Sequence, residues 1–353
     1  MINLFNAQIE SLSLHKIGNK SRNESVLLTD FPYVLNDEIS PLLKEYFFKS
    51  FRKATETYFQ FYHEVDLAYN QMFSNCRIIF DNPDEIHHIS KDIAMHLFEQ
   101  SNHPHIKRGE IFVTYLKNVT IDNKVVDAIG IFKSENQNDF IKIEDNGETK
   151  LSIQLFEGIA LDNLDKGCII FNYKSDEGYK ILTIDNNRYD SRYWLDHFLQ
   201  INQFEDERFI TKKYLDFAKE FANKVILPAQ DAQEQALFKN RTIHHFATND
   251  EFNEKEFIEE MFSDSPDLKA EYVAFKADIG PKYSVEDITE FSISNEMVNE
   301  IRPKYKNNIK LDTNMEIKLD FANPESAVKF LEKGWDEERQ MYYYLLYYNK
   351  EEK

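Results

Sequence analysis

Residues 110–184 constrain the fold most strongly, because strand patterns follow one another there with no helical pattern between them. Apolar and β-branched runs, separated by short polar turns, occupy residues 111–116, 125–132, 140–143, 151–156, 167–173 and 179–184. Parallel strands need long crossover connections that usually contain a helix, so strands this close together are expected to pair antiparallel. The segment therefore predicts an antiparallel meander.

The residues before this segment predict one further strand and two helices. Apolar residues over 7–17 indicate a strand, with residues 26–28 as its hairpin partner. A Ser-Pro pair typical of a helix start precedes aromatic residues three and four positions apart, which predict a helix over 42–61. Another helix is predicted over 90–100. We expect both helices to pack on the sheet.

After residue 185 the chain changes to helical periodicity. Helices are predicted over residues 191–199, 207–226, 229–248, 253–262 and 265–277. A small strand–helix–strand unit closes the chain, with a strand pair at 309–321, a helix at 324–333 and a strand at 340–348. The predicted fold class is α+β, with an N-terminal antiparallel sheet packed with helices followed by a mostly helical C-terminal domain.

The length of 353 residues favours two domains over one. The change of pattern places an α+β domain over 1–186 and a mainly helical, acidic domain over 187–353. The aromatic run at 342–348 fits either a strand covered on both faces or an exposed patch for a partner. We favour the covered strand.

The chain is acidic, with a formal charge of −20 at pH 7. Residues 242–300 alone hold fifteen Asp and Glu and four Lys, a formal charge of −11. Proteins that bind nucleic acid usually carry a basic balance, because phosphate neutralisation supplies most of their non-specific affinity. The bulk charge therefore argues against simple coating of DNA, and any basic face has to be local.

Cellular location is indicated by what the sequence contains and lacks. Two isolated cysteines, Cys76 and Cys168, favour a reducing compartment, and the cytoplasm is the natural interpretation. The N-terminus lacks the pattern of a secretory signal. No apolar run approaches the roughly 18 residues that a membrane span needs, so we expect no membrane attachment.

No motif of a catalytic centre is visible. The chain lacks a nucleophile elbow and a Gly-rich phosphate loop, so we predict no catalytic residue, no metal site and no cofactor. Histidines are grouped at His88, His96, His103 and His105, but their spacing does not complete a metal-binding motif. A metal-dependent nuclease at these histidines is the least favoured hypothesis.

Basic residues are more informative because they are fewer than the acidic residues and are clustered. They lie at the start of the helical part, along its next two helices and before the closing unit, with tyrosines among them. The candidate DNA contacts are Arg188, Arg192, Lys212, Lys213, Lys239, Arg241, Arg302, Lys304, Lys306 and Lys310. Lys and Arg on one side of a helix can follow a phosphate backbone. Each group taken singly also fits an ordinary solubilising surface.

Several segments resemble the NdpA-type nucleoid-associated proteins of bacteria. They are the IKLD strand that begins at Ile309, the Gly-Trp-Asp turn at 334–336 with the tyrosine-rich strand after it, the GEIFVTYL and VVDAIGIFK strands, and the polar link at 161–167. The resemblance covers nearly the whole chain, and its motifs are structural. It implies a cytoplasmic bacterial protein that associates with the chromosome and has no established catalytic residues.

Two hypotheses therefore lead. The first is a non-enzymatic, nucleoid-associated protein that binds DNA weakly and largely without sequence preference. The alternative is an acidic interaction module in which residues 242–300 imitate phosphate charge and bind DNA-processing enzymes, so that the chain reaches the chromosome through proteins already there. The aromatic content is also compatible with a homodimer.

Overall fold

The computed structural model describes residues 2–53, 57–145, 147, 151–186, 193–263, 265–305, 308–318 and 330–350. The chain divides into two compact units, Met1–Phe204 and Glu205–Lys353. The boundary predicted after residue 186 adjoins residues 187–192, which lie outside the described ranges.

The first unit is built on one antiparallel sheet, which confirms the predicted α+β class. The strands of this unit are β1 (Ile2–Asn3), β2 (Gln8–Ile17), β3 (Tyr58–Phe61), β4 (Gly109–Ile121), β5 (Lys124–Ser134), β6 (Gln137–Asp145), β7 (Leu151–Ile159), β8 (Lys166–Phe171), β9 (Lys180–Asp185) and β10 (Ile201–Gln203). The order in the sheet is β1-β4-β5-β8-β9-β3-β10, and β2 also pairs with β4.

Both faces of the sheet are apolar and covered. The register of β4 with β5 pairs Phe112 with Phe132 on one face and Tyr115 with Ile129 on the other. Successive side chains of a strand point to opposite faces, so each strand contributes to two separate cores. On the first face the Phe47 ring stacks on the Phe132 ring, with centroids 4.2 Å apart.

Helices supply the cover. They are α1 (Ile39–Lys49), α2 (Gln71–Asp81) and α3 (Ile86–Gln100), and a π-helix spans Tyr193–Leu199. Helix α1 contributes Phe47 to the core with Phe132, while α2 and α3 contribute Met72 and Ile93 to the core with Ile129. The arrangement confirms that the sheet packs with helices.

The helix predicted over 42–61 is wrong in its second half. Helix α1 ends at Lys49, and Tyr58–Phe61 form β3, which pairs antiparallel with β9 and β10. Aromatic residues three and four positions apart fit a helical stripe, but aromatic residues also favour strands. Pairing on both edges satisfies the β3 backbone and buries Tyr58 and Phe61 in the sheet.

Two other local differences concern elements before the sheet. Helix α2 has no counterpart in the prediction; it begins after Asn70, whose side chain accepts a hydrogen bond from the Phe73 backbone N–H at 2.9 Å. Residues 26–28 do not form a full hairpin strand. They contribute one antiparallel bridge, between Lys16 and Leu27.

Strands β6 and β7 leave the main sheet and pair as a separate ribbon, so the predicted meander is interrupted. Phe140 and Phe156 stack on one face of this ribbon, with centroids 5.5 Å apart. The other face carries five aliphatic side chains that are all at least 60% exposed: Ile141, Ile143, Leu151, Ile153 and Leu155. Asp145 lies at one end of this face, and Asp139 and Glu157 lie at the other. We call this surface the ribbon face.

The second unit is mainly helical, as predicted. Its helices are α4 (Glu207–Phe221), which continues as a π-helix over Ala222–Ile226, α5 (Leu227–Ala229), α6 (Ala232–Thr248), α7 (Glu254–Phe262), α8 (Pro266–Tyr283) and α9 (Asn295–Ile301). Three strand pairs accompany them: β11 (Glu251–Asn253) with β12 (Glu290–Ser292), β13 (Asn308–Lys310) with β14 (Glu316–Lys318), and β15 (Leu331–Asp336) with β16 (Met341–Leu346). Among the described residues, no helix is long and apolar enough to cross a membrane.

The core of this unit is aromatic and centres on Tyr214 of α4. The Tyr214 ring lies 4.3 Å from the Phe252 ring, and its hydroxyl donates to a Glu254 carboxylate oxygen at 2.7 Å. The Tyr272 hydroxyl donates to the Tyr214 hydroxyl at 2.7 Å, and Lys276 forms an ion pair with Glu254 at 2.7 Å. Both buried hydroxyls therefore have partners, as polar groups in an apolar core require.

The closing unit differs from the prediction. Strands β15 and β16 form a hairpin in which Leu331 is buried in a small cluster with Ala236 of α6, while Tyr342 and Tyr343 are exposed. The interpretation of 342–348 as a strand covered on both faces is therefore wrong, because a two-stranded hairpin on a small cluster covers one face at most. Of the helix predicted over 324–333, residues 324–329 lie outside the described ranges. Residues 331–333 belong to β15 and not to a helix.

Candidate nucleic-acid interface

Helix α4 presents lysines outward because its opposite side is aromatic. Tyr214, Phe217 and Phe221 are completely buried, which turns the rest of the helix surface toward solvent. Lys212 and Lys219 are seven residues apart and therefore lie on one side of the helix, about two turns from each other. Asp216 lies between them on the same side, so this stripe of α4 is basic but not uniformly so.

Lys213 of α4 and Lys224 of the π-helix that follows it already have partners. The Lys213 ammonium lies 5.2 Å from the centre of the Phe209 ring, and Lys213 is half-buried. The Lys224 ammonium is 2.9 Å from Glu220, which also receives Lys282 at 3.7 Å. Lys213 therefore keeps its full charge for a ligand, whereas the charge of Lys224 is largely compensated.

Lys239 of α6 lies in an unusual environment for a lysine. It is only 8% exposed, and burial followed by the nearby positive charge of Lys219 lowers its pKa to about 8. Neither lysine forms an ion pair with a carboxylate within the described part of the chain. The positive charge of Lys219 thus disfavours the charged form of the buried Lys239, and a bound anion offsets this effect.

The basic residues after α9 lie beside α4. The Tyr305 hydroxyl donates to the Leu215 carbonyl oxygen at 3.2 Å, which holds the turn with Arg302 and Lys304 against the middle of α4. Both side chains are exposed, and Lys304 makes an ion pair with Glu300 at 3.4 Å. The turn that carries this group is therefore anchored to the helix that carries Lys212 and Lys219.

The remaining candidates differ in position. Lys310 of β13 is exposed, and its neighbour Ile309 packs against Ala236 of α6. Arg241 is half-buried and lines a cavity of about 360 Å³ together with Glu234 and Glu260, so its charge faces carboxylates. Three candidates fall on residues outside the described ranges: Arg188, Arg192 and Lys306.

The acidic segment, residues 242–300, occupies mainly α7 and α8. On α8 the exposed Asp267, Glu271 and Asp278 are four and seven residues apart and therefore form one stripe. On α7 Glu259 pairs with Lys269, while Glu256 is exposed. This concentration of carboxylates repels DNA and attracts basic surfaces.

A family model described as nucleoid-associated protein YejK matches residues 13–342. The chain belongs to this family. The match spans most of both units and confirms the resemblance seen in the strand motifs. It supports association with the chromosome, and no curated protein sequence matches the chain.

In this member of the nucleoid-associated family, the candidate DNA contacts within the described ranges differ in their burial and in their neighbours. Lys212 and Lys219 lie on one side of α4, and Arg302 and Lys304 lie in the turn that the Tyr305 contact holds against this helix. Lys239 of α6 is buried. We call Lys212, Lys213, Lys219, Lys239, Arg302, Lys304 and Lys310 the basic face. Sequence spacing along α4 groups its lysines, but the position of Lys239 depends on tertiary packing.

The grouped histidines have structural partners. The His96 ring donates to the Phe198 carbonyl oxygen at 3.0 Å, and burial lowers its pKa. The His103 and His105 rings stack with centroids 5.1 Å apart, and His88 is exposed. Within the described ranges, no three metal-ligating side chains of His, Cys, Asp or Glu come together.

His15 of β2 is a buried histidine with partners on both ring nitrogens. Its Nδ1 accepts from the Thr29 backbone N–H at 3.1 Å, and its Nε2–H donates to the Ser90 hydroxyl at 2.8 Å. Burial, together with the nearby His87 and Lys91, lowers the His15 pKa to about 4. The neutral ring is therefore the form that the fold accommodates.

This environment predicts a loss of stability in mild acid. The unfolded chain binds a proton at His15 near pH 6.5 and the folded chain only near pH 4, so stability is full above pH 6.5 and falls as pH falls toward 4. Between pH 7 and pH 5 we expect His15 to remove about 1 to 2 kcal/mol from the free energy of unfolding. Urea denaturation at the two pH values measures it.

The His15→Gln variant should lose less stability than the unmodified protein over that interval, although its stability at pH 7 is reduced. His88→Gln, at an exposed position on α3, is the matched control and should keep the original pH dependence. Equal pH dependence in all three proteins would contradict the assignment.

Proposed function

We propose that this protein associates with the bacterial nucleoid by direct, non-enzymatic contact of its basic face with DNA phosphates. The binding is weak and largely independent of sequence. Family membership supports chromosome association, and the contacts around α4 support the choice of surface. The candidates outside the described ranges, Arg188, Arg192 and Lys306, stay predictions of contact.

The observation that carries the proposal is the Lys219–Lys239 pair. Lys239 is buried, the positive charge of Lys219 lowers its pKa, and neither lysine forms an ion pair with a carboxylate among the described residues. An ordinary solubilising surface does not explain this arrangement. A phosphate between them supplies the missing negative charge and accepts hydrogen bonds from both. The flanking Lys212, Arg302 and Lys304 then extend the contact along a backbone.

The acidity of the chain sets the strength of this contact. A formal charge of −20 repels the polyanion outside the basic face. Each phosphate contact releases counter-ions, so the logarithm of the affinity falls with the logarithm of the salt concentration by about 0.9 per contact. A few contacts on an acidic protein therefore predict binding at low salt that disappears at moderate salt.

A triple variant tests the surface. Lys219→Ala, Arg302→Ala and Lys304→Ala together should weaken binding to a fluorescent duplex at least about tenfold at low salt and reduce the salt dependence by two to three contacts, on the order expected for phosphate ligands. Fluorescence anisotropy at roughly 50 and 200 mM salt measures both quantities.

The matched control removes three lysines elsewhere, with Lys20→Ala, Lys255→Ala and Lys269→Ala. It has the same change in charge, and it should bind DNA nearly as well as the unmodified protein. Equal losses of DNA affinity in both variants, or no DNA binding at low salt, would contradict the direct-contact proposal.

The acidic segment favours a second function, binding of DNA-processing enzymes through a surface that imitates phosphate charge. The Asp267–Glu271–Asp278 stripe of α8 supports it, since these exposed carboxylates project from one side of a helix. Removing the whole segment is a poor test, because Phe252 and Tyr272 belong to the core of the unit.

Replacing the three carboxylates of the stripe by neutral amides of similar shape is a sharper test, made as Asp267→Asn, Glu271→Gln and Asp278→Asn. Under this second function, capture of purified DNA-processing enzymes falls at least tenfold, and duplex DNA competes with the unmodified protein. Asp312→Asn, Glu337→Gln and Glu338→Gln form the control. Capture that is unaffected by the stripe variant rejects this function.

We also propose a homodimer that forms through the ribbon face. A chain with a charge of −20 repels its own copy, so an apolar surface favours contact between copies. The ribbon face provides five exposed aliphatic side chains, with carboxylates only toward its ends. A two-stranded ribbon is marginally stable alone and gains from a covered face. Packing with the same face of a second chain buries apolar side chains on both sides by two-fold symmetry.

The dimer predicts a clear effect of charge on the ribbon face. Ile141→Lys with Ile153→Lys should convert the dimer to a monomer in light scattering after size exclusion, because a buried unpaired ammonium is unfavourable. Lys142→Glu with Gln154→Lys, on the opposite face, is the control and should leave the dimer intact. A monomeric unmodified protein at micromolar concentration would rule this dimer out.

A further inference from the structure

An open cavity of about 420 Å³ lies in the first unit, far along the chain from the residues of the basic face. Its walls come from three segments: the 3-10 turn Leu67–Tyr69 with the preceding Asp66, helix α2, and the turn between β8 and β9. The floor is aromatic, since the Tyr179 ring lies 5.0 Å from the Phe80 ring and 5.5 Å from the Phe73 ring.

Tyr179 is the unusual residue of this cavity. It is only 3% exposed, it lines the cavity, and its hydroxyl has no hydrogen-bond partner among the described residues. Burial raises its pKa to about 12, so the hydroxyl stays protonated and is able to donate or accept. Because Tyr179 lines the cavity, its hydroxyl is available to hydrogen-bond a ligand there.

The backbone also holds Tyr179 in place at a cost. Its φ is +59°, a conformation that bulky residues rarely adopt. Gly178 before it has a φ of +96°, and a Cβ there would lie 2.5 Å from the Phe61 carbonyl oxygen. The Tyr179 N–H donates to the Lys174 carbonyl oxygen at 3.0 Å. The turn thus fixes the ring beneath the cavity.

The charges around the cavity select the ligand. Asp66, Asp81 and Asp176 line it together with Arg77, which leaves a formal charge of −2. Within the described ranges Arg77 forms no ion pair with these carboxylates. A cation above an aromatic floor and beside carboxylates gains both charge attraction and cation–π attraction.

We propose that this cavity binds an alkyl ammonium group. The ammonium donates to Asp81, Asp176 and the Tyr179 hydroxyl oxygen, and the alkyl chain lies on the Phe80 ring. Two sources carry this group, a free polyamine and the lysine side chain of a polypeptide. Because Asp81 and Asp176 are exposed and the cavity is open, both have access.

Isothermal titration calorimetry with butylamine, spermidine and Nα-acetyl-lysine amide tests the site on the full chain. We expect one molecule per chain for at least one of the three, and no binding of acetate. If only spermidine binds, the natural ligand is a free polyamine. If only acetyl-lysine amide binds, the natural ligand is a lysine side chain of a polypeptide. If none of the three amines binds, the proposal is wrong.

Variants separate this site from the general acidity of the chain. Asp81→Asn with Asp176→Asn should weaken binding at least tenfold, and Tyr179→Phe should weaken it several-fold while the ring still fills its place. Asp84→Asn, an exposed acid three residues from Asp81 that does not line the cavity, is the control and should change affinity less than twofold.

Arg77→Ala gives the opposite sign, since it removes the one positive charge from the wall and should strengthen binding of the amine. A weakening by Arg77→Ala, or equal weakening by Asp84→Asn and by the Asp81–Asp176 pair, would overturn the proposal. Thermal unfolding of each variant shows that the fold is retained, so a lost signal reports the site.

Discussion

Burial of the aromatic side of α4 is the constraint on which the second unit depends. Tyr214, Phe217 and Phe221 have no exposed surface, and other aromatic rings surround Tyr214. Because one side of the helix is fixed in this way, the other side is fixed as well. The outward lysines of α4 therefore form a defined surface, and the charge of one of them, Lys219, acts on the buried Lys239 of α6.

The distribution of charge follows from the same packing. Carboxylates of the acidic segment occupy α7 and α8, while the basic face gathers around α4 and the turn after α9. A protein with this arrangement has both an attraction for phosphates and a strong overall repulsion from DNA. Weak, salt-sensitive association with the nucleoid is the expected balance, and it leaves the acidic segment available for basic partners.

The sequence predicted the parts of the fold that depend on local pattern. The strands between 110 and 184 follow one another too closely for anything but antiparallel pairing. The helices after 205 were predictable because helical periodicity is a property of neighbouring residues. The predictions were wrong where contacts between residues distant in the sequence determine the structure. Residues 58–61 became a strand because β9 and β10 accept them, and the run at 342–348 is exposed because too few elements cover its hairpin.

The sites were less predictable than the fold for the same reason. Spacing on one helix groups Lys212 with Lys219, but no sequence pattern shows that Lys239 is buried beside them. The cavity above Tyr179 needs segments more than 90 residues apart in the chain. The one local feature of this cavity in the sequence is the Gly178–Tyr179 pair. It indicates a fixed turn only once the positive φ angles of both residues are known.

The pH dependence of DNA affinity tests the central claim most directly. If a phosphate binds between Lys219 and Lys239, affinity at constant low salt should fall up to about tenfold from pH 7 to pH 9, because Lys239 loses its proton near pH 8. In Lys239→Arg the charge persists, so the affinity should stay constant over this interval. The same fall in both proteins, or none in either, would contradict the account.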